Sequence, residues 1–497
     1  MRERTRRRAG GLLGGLLLAA LAACPREAPE ALAARRLSER ALASEALARD
    51  LRELTEGIGA RVTGSEACER SVEWAAAKLR GLGLDVAVEP YELPALWLPG
   101  GASADVVPPE GPGLGVAALP FSPPTPGRLE APLLYAGAGE PEAIRRLGAG
   151  ARGAVLLLGS PEGGASPLEA GAAPGAAATL AAAREAGAAA LLVESPSEEG
   201  FLPRHPLRSD GRIAPVPAAL VRRADAARLR ERLRAGAVRI RLELTPRTGG
   251  PFTARNVVAT LRGREAPEEA VLLGAHLDSW DGGTGALDNG VNVALAVDVA
   301  RGLVETGLVP RRSVRVVLFT GEEQGIRGSA AFVRARLAEL DRVAALVVFD
   351  LGAGRTWGLF ANRHARLAAL AGAALSVHPD FRRTVLLEKV YAGTDVLPFL
   401  AEGVPCLVAM QDLTRYALLR HTEGDVLPEV DLAQARRNAA LAAVLVRGLA
   451  ESREPVAGRL SGEALARVLR ELPPEGGPSR DSVSSRGNVG GTAPPPR

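Results

Sequence analysis

The chain has 497 residues, 47% of them apolar and 24% charged. That length allows about two to four domains, and the balance excludes a collagen, a coiled-coil rod and wholesale disorder. The net charge of +4 would suit a nucleic-acid or membrane partner, but residues 1–23 hold all of it, five arginines against Glu3. The rest is neutral overall, so no nucleic-acid partner is expected.

In chain order, residues 1–24 read as a lipoprotein signal peptide. An Arg-rich start leads into a Gly/Leu/Ala run from Ala9 to Ala23, too short to span a bilayer comfortably. The run ends in Leu21-Ala22-Ala23-Cys24, similar to a lipobox, in which Cys24 would be acylated and tether the chain to a membrane. Cleavage near Ala23 with Cys24 incidental, or an uncleaved anchor helix, are the alternatives. The Arg6-Arg7 pair fits the twin-arginine export pattern poorly. The expected location is the cell envelope, on its periplasmic or extracellular face.

Leu, Ala and Val at helical spacing predict helices over 37–55 and 66–83, joined by a turn-rich loop at Gly57–Gly64. Residues 84–126 are rich in Pro and Gly, with short strand-like pieces. From 127 to 248, apolar runs such as 153–158 and 188–193 alternate with Ala-rich helices, as in a separate small α/β module. Gly148-x-Gly150-x-x-Gly153 has the spacing of a dinucleotide fingerprint but precedes its strand, so no nucleotide role is assigned. From residue 253, strands at 271–275, 314–319, 344–349 and 405–410 alternate with helices near 291–305, 327–340, 363–376 and 431–451. Continuous apolar strands between helices imply an α/β sheet covered on both faces. A last helix is expected within 456–472 and a disordered tail over 473–497. Cys68 and Cys406 are read as buried thiols, with a disulfide as the alternative.

Three of the strands run into metal-donor residues: His276-Leu277-Asp278, Glu322-Glu323 and Asp350. Sites in open α/β sheets form at the carboxyl ends of strands, so these segments should converge. Two loops add Asp288-Asn289-Gly290 and His421-Thr422-Glu423-Gly424-Asp425. The donors His276, Asp288, Glu323, Asp350 and His421 suit zinc but exceed one tetrahedral catalytic site. They fit two zinc ions if one carboxylate bridges. His205, His364 and His378 lie outside any motif and are read as structural or exposed; no G-x-S-x-G supports a serine hydrolase.

In order, His276-Leu277-Asp278-Ser279, Gly285–Gly290, Phe319–Gly325, Asp350 and His421-Thr422-x-x-Asp425 resemble the motifs of metallopeptidase family 28, the di-zinc aminopeptidases and their relatives. Trp280-Asp281, Ile58–Ser65 and Ala75–Leu84 are similar to its carboxypeptidase Q (plasma glutamate carboxypeptidase) branch. The resemblance spans about residues 37–450. It implies a three-layer α/β sandwich with a mixed central sheet, the di-zinc exopeptidase fold, with an inserted module like a protease-associated domain. The divisions are then 1–24 signal peptide, 25–126 and 249–455 peptidase domain, 127–248 insert, 456–472 terminal helix and 473–497 tail.

By motif, Asp288 would bridge two Zn²⁺ ions, His276 and Asp350 would complete one site, and Glu323 and His421 the other. Glu322 would be the general base, Asp278 would orient His276, and Asp425 would support the His421 loop. Asn289 stands where many relatives have Asp, and Phe349 where Ser or Glu is common. The implied activity is zinc-dependent exopeptidase hydrolysis of short peptides or dipeptides. A non-catalytic peptidase-like surface protein is the alternative, and glutaminyl cyclisation with a single zinc a third. A homodimer is left open.

Overall fold

A computed structural model describes residues 28–108, 113–159, 168, 174–455 and 457–472. Residues 1–24, read above as a signal peptide ending in Cys24, and the tail from 473 lie outside the described residues.

Eight strands form the central sheet, in the order Asp85–Leu93, Phe252–Leu261, Arg312–Phe319, Ala266–His276, Val343–Val348, Cys406–Met410, Gly358–Phe360 and Val385–Leu387. The four from Arg312–Phe319 to Cys406–Met410 run parallel, and antiparallel pairings flank them on both sides. The parallel strands are apolar and almost wholly buried because helices cover both faces. On one face lie helices Glu66–Gly81, Val291–Thr306 and Leu432–Glu451; on the other lie the shorter Arg327–Ala335 and Leu397–Ala401. Helix Val291–Thr306 is buried without interruption from Val291 to Leu303, and Gly307 in the left-handed region ends it. Among the described residues no helix is long and apolar enough to cross a membrane.

The helix expected over 37–55 is three pieces: Pro29–Leu42, Glu45–Arg52 and a wide turn, Glu53–Ile58. The break is chemical. The Ser44 hydroxyl accepts the Leu47 amide as a new helix cap and donates to Asp298 at 2.7 Å. Likewise the helix expected over 327–340 stops at Ala335 and continues as a tighter turn, Leu337–Arg342. The terminal helix occupies Gly462–Glu471. Cys68 and Cys406 are both free and buried.

A second sheet of seven strands forms the inserted module, in the order Ala102–Val107, Val238–Leu244, Leu129–Tyr135, Val155–Leu158, Ala190–Glu194, Ala218–Val221 and Val116–Ala118. Its first and last strands approach each other through an Ala104–Leu114 bridge, giving a barrel-like curl. Separate apolar clusters fill its two sides. Two of its strands precede residue 127, so the boundary expected there falls inside the module: the Pro- and Gly-rich stretch conceals two short strands whose ladders form with partners about 100 or more residues away. The chain leaves the peptidase body at Leu96–Leu98 and returns at Arg247–Gly249, and these segments pair as a two-stranded ribbon. Gly148–Ala151 precedes strand Val155–Leu158, the reverse of a dinucleotide fingerprint.

Candidate metal centre

The strand register sets the first half of the site. His276 lies opposite Phe319, and Gly274 opposite Val348. The three strands therefore end level, and the residues just beyond them, Glu322, Glu323 and Asp350, meet His276 at one edge. Asp288 arrives on a turn, Ala286–Gly290, before helix Val291–Thr306; the Asp288–Asn289 peptide is cis. His421 arrives on a loop, in the left-handed region at φ 64°.

The five donor side chains, His276, Asp288, Glu323, Asp350 and His421, converge. His276 Nε2 lies 3.0 Å from Asp288 Oδ1 and 3.0 Å from Asp350 Oδ1. His421 Nε2 lies 3.2 Å from Asp288 Oδ2 and 2.9 Å from Glu323 Oε2. The two oxygens of Asp288 thus face different imidazoles. Tyr416 donates to Asp288 Oδ2 at 3.0 Å, and Thr394 donates to Asp350 Oδ2.

The supporting contacts explain the turn. Asp425 accepts from the Leu287 amide at 2.5 Å and the Asp288 amide at 3.1 Å. Its carboxylate therefore holds the Asp288 turn, whereas the sequence suggested support of its own loop. Arg61, fully buried, donates to the carbonyls of Leu277, Gly59, Thr284 and Gly285, tying the N-terminal loop to the His276 and Asp288 segments. Gly285 must be glycine: φ is 61°, and a Cβ would fall 2.4 Å from Ser279 Cβ. Asn289 donates to the Phe349 carbonyl at 3.0 Å and accepts from Asn292 at 2.7 Å, so the amide is used on both sides. Asp278 meets His276 Nδ1 through its backbone carbonyl, at 3.0 Å, more closely than through its carboxylate, at 3.6 Å. The carboxylate instead accepts from Thr63 at 2.7 Å and from the Glu322 amide at 3.4 Å.

The electrostatics are those of acids crowded beyond what two imidazoles can balance. Burial pushes Glu323 up to about 7, aided by Asp288 and opposed by His421. Burial likewise raises Asp350 and, with Asp350, Glu323 and Asp395 adding, holds Glu322 well above the carboxylate range. Asp425 rises to about 7 and Asp395 to about 8, both chiefly through burial. Burial works against charge on His421, but Glu323 and Asp288 outweigh it and lift the ring to about 10. Asp288 alone is held well below its usual value, its burial outweighed by His276 and His421. Protons here occupy places that a cation would take. Glu323 Oε1 is buried without a hydrogen-bond partner, and Asp350 Oδ1 has only the His276 ring beside it. Donor atoms of His276, Asp288 and Glu323 all lie within 4.8 Å of one another. Imidazole and carboxylate donors with an orphaned oxygen fit divalent metal ions.

Sequence reasoning missed several residues. Tyr416, Thr394 and Asp395 lie outside the quoted motifs; Arg61 and Thr63 lay within one but had no role assigned. His205, read as structural or exposed, lies against His421, with Nδ1 to Nδ1 at 3.3 Å. It is partly buried, and burial, His421 and Arg420 hold it well below the usual imidazole value. A lone histidine in a proline-flanked loop carried no signal. His364 caps helix Ala365–Ser376 and His378 stacks on Phe381, both structural.

Comparison with known proteins bears on this geometry. Residues 256–446 match Peptidase family M28. Carboxypeptidase Q of Bos taurus is 28% identical over 405 residues, 81% of this chain and 84% of that protein. The crystal structure of a Peptidase M28 precursor from Shewanella amazonensis SB2B superposes with a TM-score of 0.73 at 28% identity, covering 87% of this chain and 99% of that one. A zinc aminopeptidase from Bacillus subtilis shares the fold at a TM-score of 0.63 and 20% identity, over 87% of this chain and 98% of that one. Residues 256–446 thus carry the likeness to Peptidase family M28, and over most of its length the chain is similar to carboxypeptidase Q, a hydrolase.

Proposed function

We propose that the chain is a zinc-dependent exopeptidase of short peptides or dipeptides that holds two Zn²⁺ ions. The observation carrying this reading is Asp288, whose Oδ1 faces His276 and whose Oδ2 faces His421, with Asp350 beside the first ring and Glu323 beside the second. One carboxylate can span two ions about 3.5–4 Å apart. In this reading His276 and Asp350 would hold one ion, His421 and Glu323 the other, and Asp288 would serve both. When bound, the ions supply Lewis acidity that polarises the scissile carbonyl and makes water a better acid.

The remaining work falls to the chain itself. Glu322 takes the proton of the attacking water and returns it to the leaving amine. Its burial and acidic neighbours give the carboxylate the proton affinity a base needs. Asp278 fixes His276 through its carbonyl, and its carboxylate holds the Glu322 backbone. Restriction to short substrates is supported by the module's loop, which reaches His421 at His205 and Arg204. Exopeptidase action is supported by relatives named as a carboxypeptidase and an aminopeptidase. Export with Cys24 as a lipid tether is supported by Leu21-Ala22-Ala23-Cys24.

Glu322→Gln tests the assignment. It should keep both zinc ions, read by elemental analysis, and lose about 10²–10⁴-fold in kcat on a peptide panel. A fully active variant removes Glu322 as the base, and a wild type that takes up no metal overturns the scheme. Labelled fatty acid should mark the wild type and not Cys24→Ala.

A further inference from the structure

The outer nitrogens of the two imidazoles are held in different ways. His276 Nδ1 meets the carbonyl of Asp278, two residues along the same segment. His421 Nδ1 meets His205 Nδ1 at 3.3 Å, with the rings edge to face at 4.9 Å. His205 belongs to the inserted module, on the loop between strands Ala190–Glu194 and Ala218–Val221.

That loop is fastened to the peptidase body around His205. The Arg204 amide donates to the His421 carbonyl at 2.8 Å, and the Arg204 guanidinium pairs with Asp281 at 3.2 Å. The Leu202 amide donates to Glu423 at 3.2 Å, and Arg222 pairs with the same carboxylate at 3.0 Å. A ring that turns Nε2 toward a metal carries its proton on Nδ1 and needs an acceptor there. His205 Nδ1 is that acceptor when its own proton sits on Nε2.

We propose that His205 is a positioning residue for His421: the inserted module supplies the acceptor that fixes the ring and tautomer of one metal donor, so one of the two metal positions is completed by the module and the other is not. This rests on the two-zinc reading above.

Two variants of the full chain separate an acceptor from mere ring packing. His205→Phe keeps a ring and loses the acceptor; His205→Asn loses the ring and places an amide oxygen near Nδ1. Zinc affinity is read by competition with a chromophoric chelator, and the metal-free fold by melting in excess chelator. His205→Phe should weaken one of two zinc equivalents by about 10–100-fold and leave the other unchanged. His205→Asn should bind both nearly as the wild type does, and all three should melt alike without metal. Unchanged binding in His205→Phe, or equal losses in Phe and Asn, overturns the role of His205 while the two-zinc reading stands. A wild type binding no zinc overturns both.

Discussion

The two halves of the donor cluster are built differently. His276 and Asp350 sit at or just beyond the ends of adjacent parallel strands, whose register fixes them and whose side chains are buried on both faces. His421 and Glu323 sit on loops, His421 with a backbone in the left-handed region that non-glycine residues seldom adopt. The first half is positioned by the sheet, the second by loops docked on one another and on the inserted module. Asp288 joins them, one oxygen to each, on a turn braced by Asp425. A sheet end can be rigid without help, whereas a loop site needs partners from elsewhere in the chain.

The strongest way to break this comparison is to remove what the halves share. Asp288→Ala should cost both zinc equivalents and bring peptide hydrolysis to background, with the fold retained by far-ultraviolet circular dichroism. Retention of one equivalent would mean the halves are independent. Next comes Arg61→Leu, which takes a donor from four carbonyls around the His276 and Asp288 segments and strands three, since Gly285 still accepts the Gly290 amide. Unmet buried acceptors cost about 1–3 kcal/mol each, so the loss of unfolding free energy should reach about 3 kcal/mol or more in urea titration.

The same division separates what the sequence disclosed from what it hid. The strand-end donors His276 and Asp350 were legible because apolar runs ending in them have one simple outcome in an α/β sheet, and Glu323 of the loop-built half because its turn follows such a run closely. Asp288 and His421 were legible only through their motifs, since a turn and a loop carry no periodicity. The supports were hidden. Arg61 acts on segments more than 200 residues away, and His205 on a ring 216 residues away, contacts that no local pattern encodes. The module's start was missed for a related reason, as Ala102–Val107 becomes a strand only by pairing with Val238–Leu244.

Protons offer a gentler probe of the loop-built half. Without metal, His421 titrates at about 10 and Glu323 at about 7, both above their ordinary values. A raised pKa in the folded state stabilises it below the unfolded value, and that stabilisation is lost as pH rises through the folded value. The metal-free protein should therefore weaken from about pH 4.5 to pH 7 through Glu323 and from about pH 6.5 to pH 10 through His421, by at most about 1.4 kcal/mol per pH unit for each group. Metal binding needs a neutral ring and a bare carboxylate, so zinc affinity should move the opposite way and strengthen with pH. Melting temperatures with zinc and with chelator should diverge from pH 6 to pH 9. Parallel curves would mean that the protons and the metal do not compete.

The finest test compares single hydroxyls that serve opposite halves. Thr394 donates to Asp350, beside His276; Tyr416 donates to the Asp288 oxygen that faces His421. Thr394→Val and Tyr416→Phe each delete one hydrogen bond to a donor carboxylate while nearly preserving shape. Each should cost about 1 kcal/mol, or about fivefold in affinity for one zinc equivalent. The halves differ in how that loss is absorbed. A carboxylate beyond a strand end cannot shift to find another partner, so Thr394→Val should leave a clean loss confined to one equivalent. Asp288 is shared, so Tyr416→Phe should weaken the His421 position most and carry a smaller loss to the other. Titration of both variants with cobalt, followed by the visible spectrum of each equivalent, reads the two positions separately. Equal losses at both positions in Thr394→Val would mean that the sheet-built half is coupled to the loop-built half as tightly as Asp288 itself.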